Sequence, residues 1–230
     1  CHGGDAELIR QRVLSRTLEQ FYSQLDSGRE LLADTLGAGR DDSSLAKLVL
    51  ELYGKLQSHA YPMRWLGENK AIWSGLNGTF DDTPYAAELL TFIRRKAEYC
   101  RILLQQGAER ADEDAALSTG YGDKFRVAEQ GFAALAAVSD WDTACRMARE
   151  VTFPKLSTPK GRKDDPDLVV LKEIWESCKE EMKQLSALLS VSGEEAVEDL
   201  NVMSPAMLAL LDLTEAFSEA YQTEKLRMNA

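Results

Sequence analysis

Histidine is nearly absent from this chain, with two in 230 residues, and that scarcity removes most metal and acid–base chemistry. His2 and His59 stand far apart, neither in a His-x-x-x-His nor in a Glu-x-x-His arrangement, so the ligand set of a zinc or di-iron centre is missing. A Ser/His or Cys/His nucleophile would have to use His59, which sits at a helix end beside Pro62. Four cysteines, Cys1, Cys100, Cys145 and Cys178, form no Cys-x-x-Cys pair. A small disulfide scaffold would be denser in cysteine, so they read as reduced, small apolar residues of helix faces. Glycine-rich phosphate loops of the Walker or dinucleotide kind are also missing. No metal and no cofactor is expected.

Long apolar runs are lacking as well. None reaches the eighteen or so residues of a membrane span, and no signal-peptide pattern opens the chain. Positive charge is in deficit: 27 Lys and Arg against 38 Asp and Glu give a net charge of −11. Such a surface repels phosphate backbones at long range, which predicts no strong nucleic-acid binding. The chain opens Cys1-His2-Gly3-Gly4 rather than with methionine, which reads as a domain excised from a longer protein.

What is present is helix punctuation. Thr83-Pro84, Asp165-Pro166 and Ser204-Pro205 each pair a capping residue with proline ahead of an apolar run of period near 3.6. Proline at the first helical position gives up an N–H that would be unpaired anyway. The pattern predicts an all-α, multi-helix bundle of about seven to nine helices, divided into two helical subdomains. Residues 1–153 read as an N-terminal bundle, 154–165 as a basic, proline-containing loop, and 166–230 as an antiparallel helical hairpin packing on the same core. The hairpin rests on Leu171, Trp175, Cys178, Met182, Leu185 and Leu189, an a/d stripe, set against Leu210 and Phe217. Further upstream, a helix over about 6–36 capped by Asp5, with a break at Ser27-Gly28 allowed, is followed by one capped by Asp42 or Ser43. Phe92, Ile93, Ala97, Cys100 and Leu104 mark an inward stripe over 84–106. Residues 107–123, acidic and glycine-bearing, read as a mobile connection. Ser139 reads as the cap of a helix around Trp141.

Two features are candidate sites. The aromatic stretch Tyr61, Trp65, Trp73, Phe80 and Tyr85, interleaved with glycine and proline, is the candidate apolar groove for a partner helix or peptide; plugging of the irregular junction of two helical pairs is the simpler explanation of the same residues. The basic loop Lys155, Lys160, Arg162 and Lys163 stands out against an acidic chain. Carboxylate pairs such as Asp81-Asp82 and Asp164-Asp165 precede helices, where anions suit the positive helix end. The function this predicts is a protein–protein interaction or scaffold module of a larger intracellular protein, in cytoplasm or nucleus, and not an enzyme. Two alternatives stay open: a small helical enzyme using His59 beside the Tyr61–Tyr85 cleft, and an exported ligand-binding helical protein.

Overall fold

The structure is a computed structural model and describes residues 2–37, 43–162 and 165–229. Cys1, Asp42, Lys163 and Asp164 therefore lie outside the described residues. The described residues are helical with no strand, an all-α multi-helix bundle as predicted. The principal helices are α1 (His2–Ser23), α2 (Ser27–Gly37), α3 (Ser43–Ser58), α4 (Pro62–Ser74), α5 (Pro84–Asp112), α6 (Ala115–Leu117), α7 (Asp123–Ala136), α8 (Trp141–Glu150), α9 (Pro166–Leu188) and α10 (Gly193–Asn229). A 3-10 turn covers Phe80–Asp82 and a π-helical turn Ser118–Gly122.

The chain folds as two units, Cys1–Asn77 with Glu198–Ala230, and Gly78–Val197. The basic segment over 154–165 lies inside the second.

In the first unit, α1 contributes Val13, Leu14, Leu18 and Phe21, α2 Leu32, α3 Leu45 and Val49, and α10 Ala206, Ala209, Leu210, Leu213 and Phe217 to one core. Phe217 meets the ring of Tyr53 edge-on at 5.2 Å and stacks on Tyr221 at 5.7 Å. Lys70 of α4 ties to α10 through Asp212 at 2.8 Å and through Glu215. The first helix breaks after Ser23 because Asp26 caps a new one, its carboxylate accepting from the Arg29 N–H at 2.9 Å. Gly28 follows because a Cβ there would lie 2.7 Å from the Pro205 carbonyl oxygen.

Proline punctuation succeeds twice and fails once. Thr83 accepts from the Ala86 N–H and Asp165 from the Asp167 N–H, each ahead of a proline at the helix start. Pro205, however, lies inside α10. That helix opens earlier, where Ser192 and Glu195 cap each other, and Ser204 Oγ instead donates to the Trp73 carbonyl at 2.6 Å. The cap of α8 is Asp140, accepting from the Thr143 N–H at 2.8 Å, rather than Ser139. The α10 helix is also long and apolar enough to cross a membrane by length and composition, but its apolar side is committed to the core of the first unit.

In the second unit, α5 packs on α7 and α9, and α8 on α7 and α9. The α9 stripe is buried as the spacing predicts, and within the second unit it packs against α5 and α8. Trp175 stacks on Phe125 of α7 at 4.9 Å and meets Phe153 edge-on at 5.1 Å. Residues 107–123 are not a mobile connection. The α5 helix runs on to Asp112, and Gly107, Ala108, Ala111, Leu117, Gly120 and Tyr121 are buried. Gly107 has to be small because Phe125 packs where a side chain would stand.

Cys100, Cys145 and Cys178 are free and buried. Burial pushes the Cys145 thiol up, and the Cys100 thiol together with burial does the same to Cys178. All three are expected to react slowly with a thiol reagent in the native protein and quickly after unfolding; rapid native labelling would contradict their burial.

Candidate nucleic-acid interface

Residues 151–162 lie as a strap on the second unit. Its entry is fixed by Val151, packed where a Cβ on Gly131 would lie 3.1 Å from the Val151 Cα. Phe153 follows, with its ring against Phe132 at 6.0 Å and Trp175 at 5.1 Å. The middle is held by the π-helical turn. The Ser157 N–H donates to the Gly120 carbonyl at 3.3 Å, and the hydroxyls of Thr158 and Tyr121 share a hydrogen bond of 2.9 Å. Lys124, at the start of α7, donates to Ser157 Oγ at 2.9 Å. The strap turns at Gly161, the one described residue with positive φ (78°), a conformation open to glycine without a Cβ penalty.

Its charges divide into two kinds. Arg162 is pinned: it pairs with Asp114 and with Asp165, whose Oδ2 lies 2.8 Å from Arg162 Nε. The Arg162 guanidinium, with the Ala116 N–H, holds the Asp114 carboxyl below the usual carboxylate range. The Asp167 N–H and Arg162 do the same for Asp165. Both carboxylates therefore support the strap above their ordinary pKa, and that support is lost as pH falls through the lowered values. Lys155 and Lys160 are exposed, with no ion pair among the described residues. Lys124, bonded to Ser157, adds a third ammonium group beside the strap. Lys163 lies outside the described residues. Lys124 escapes a reading of the sequence because it sits 31 positions before Lys155 and joins the strap only through Ser157. The acidic run over 109–114 is partly explained here too, since Asp112 pairs with Arg126 and Asp114 with Arg162.

The aromatic candidates do not form one groove within either unit. Tyr61, Trp65 and Trp73 belong to the first unit, Phe80 and Tyr85 to the second. Tyr61 is 72% exposed, Trp73 and Phe80 are buried, and Trp65 and Tyr85 are half-buried. Phe80 plugs the second core against Trp141 at 4.8 Å. His59 stacks on Trp65 at 4.8 Å, and its ring has no hydrogen bond to a described carboxylate. Among the described residues there is no group of three or more His, Cys, Asp or Glu placed to hold a metal ion.

No family model matches the chain. Curated relatives do, along nearly its whole length. It is 30% identical over 233 residues to a protein of Desulforamulus reducens, 28% over 236 residues to one of Desulforudis audaxviator, and 24% over 223 residues to one of Syntrophomonas wolfei. These alignments cover 96%, 98% and 96% of this chain but only 18%, 19% and 18% of the relatives, so the chain spans under a fifth of their length. Each relative is named as a subunit of an ATP-dependent helicase/nuclease.

That likeness overturns the expected scaffold or protein-interaction module, and with it the small His59 enzyme and the exported ligand-binding protein. It also overturns the expectation of no strong nucleic-acid binding, because a helicase/nuclease is by name a nucleic-acid enzyme. Net charge averages over the whole surface, whereas phosphate contacts in general depend on the few cations that remain locally unpaired. An intracellular setting agrees with those names.

Proposed function

We propose that this chain is a helical part of an ATP-dependent helicase/nuclease and takes part in that enzyme's work on nucleic acid. The observation that carries this is the likeness along 96–98% of the chain to proteins of that name. The relatives come from bacteria, which supports the cytoplasm as the place of work. ATP is part of the relatives' activity, yet no residue here forms a Walker-type phosphate loop, so nucleotide handling belongs to other parts of such a protein. The contribution within this chain is contact with the phosphate backbone through Lys124, Lys155 and Lys160. Arg162 holds the strap in place rather than reaching out.

Phosphate contacts release counterions, so their number is readable from salt dependence. Changing Lys124, Lys155 and Lys160 to glutamine together is expected to weaken binding of a labelled duplex. The slope of log K against log salt should become shallower by about 2–3, at roughly 0.9 for each phosphate no longer neutralised. Fluorescence anisotropy on the 230-residue chain measures both. A triple variant that binds with unchanged affinity and slope would remove the strap from the interface.

A further inference from the structure

We propose that the outward face of α5 is a stacking platform for a single strand of nucleic acid; this rests on the reading that the chain works on nucleic acid and adds a second site to it. The inward face of α5 is complete: Ile93, Ala97, Cys100 and Leu104 are fully buried. The opposite face carries Phe92, Arg95, Tyr99 and Ile102 at alternating three- and four-residue spacing, which places them on one stripe. Phe92 is 48% exposed, Tyr99 54% and Ile102 40%. Phe92 thus belongs to the outward stripe and not to the inward one that periodicity gave it.

Three large apolar side chains on a solvent face would by themselves fit many partners. The charge on this face is what selects one. Arg94-Arg95-Lys96 is the one run of three consecutive cations in the sequence, in a chain of net charge −11. Arg95 is exposed between the two rings, with no ion pair among the described residues. Lys96 bonds to Glu181 at 3.0 Å while its ammonium sits 5.9 Å from the Phe92 ring centre. Rings flanking the unpaired Arg95 guanidinium offer π-faces to bases and positive charge to the phosphates between them. Glu88, one turn before Phe92, Glu98, which pairs with Arg101, and Glu181, which pairs with Lys96, are acids beside these rings. The rings of Phe92 and Tyr99 originate ~10.5 Å apart along the axis, at ~1.5 Å per residue, so they can take different bases of one strand. Bases of a duplex are already stacked and paired, which makes the platform selective for unpaired strand.

The test compares a labelled mixed-sequence single strand with the corresponding duplex, by anisotropy on the 230-residue chain. The double variant Phe92→Ala with Tyr99→Ala should bind the single strand at least about thirtyfold more weakly, from two missing base–aromatic stacks, and the duplex almost as before. Arg95→Gln should make the single-strand salt slope shallower by about 0.7. Both rings are half exposed, so the thermal midpoint should be unchanged, which separates a lost site from a lost fold. Unchanged single-strand affinity in the double variant overturns the platform, while a loss in the lysine triple variant would leave the strap interface standing. Equal losses for strand and duplex overturn it too. A wild-type chain that self-associates through this face, made monomeric by the double variant with no change in strand affinity, would make the stripe a protein contact instead. Binding of neither nucleic acid by the wild-type chain would remove the underlying reading along with the platform.

Discussion

Replacing Trp175 with alanine is expected to lower the stability of the second unit by about 3–5 kcal/mol, the range for deleting a buried large aromatic side chain. Trp175 is 3% exposed and lies between two rings, stacked on Phe125 at 4.9 Å and edge-on to Phe153 at 5.1 Å. Neither neighbour can close the gap easily: Phe125 is fixed from behind by α5 at Gly107, and Phe153 by Phe132. A cavity therefore remains, and its cost adds to the lost transfer energy. Because Phe153 is also the strap's apolar anchor, the substitution should loosen the segment that carries Lys155 and Lys160. Urea denaturation measures the first effect. A loss below about 1 kcal/mol, well under that range, would mean that Trp175 is not enclosed as described.

The second large effect is expected at Gly120. A Cβ there would overlap the backbone carbonyl oxygen of Ser157, and Ser157 is held to the same residue by its own N–H. Alanine gains about 1 kcal/mol over glycine in helical conformations, but the obstructing atom is backbone and cannot rotate away. Gly120→Ala should therefore destabilise by about 1–3 kcal/mol, the usual cost of overpacking, and should lift the strap off the π-helical turn. Trypsin cleavage after Lys155, Lys160 or Arg162 in the native protein should then be faster. Cleavage and stability indistinguishable from wild type would show that the strap is not seated on Gly120.

Helix content was legible because periodicity and caps are local. Thr83-Pro84 and Asp165-Pro166 mark real starts. Ser204-Pro205 carries the same signature, yet a distant acceptor, the Trp73 carbonyl, takes the serine hydroxyl, while capping by Ser192 and Glu195 opens the helix earlier. No local rule contains that. Glycine and alanine over 107–122 resemble linker composition, although rings and backbone from elsewhere in the chain press against Gly107 and Gly120. Periodicity locates a helix face but does not tell which of two apolar stripes turns inward, and so Phe92 reads as core from sequence. The strap was visible as a run of cations. Its division into a pinned Arg162 and unpaired Lys155 and Lys160 was not, since it depends on Asp114, which lies 48 positions earlier. Relation to the helicase/nuclease proteins rests on similarity spread through the whole chain, with no short motif to announce it.

The most direct test of the central claim is a salt titration. The 230-residue chain is mixed with labelled single strand and duplex between about 50 and 200 mM salt, a range over which phosphate contacts lose affinity steeply. The expected result is binding at low salt, a linear fall of log K with log salt, and a shallower fall in the lysine triple variant. No binding of either nucleic acid at any salt, or binding that ignores salt, would contradict it.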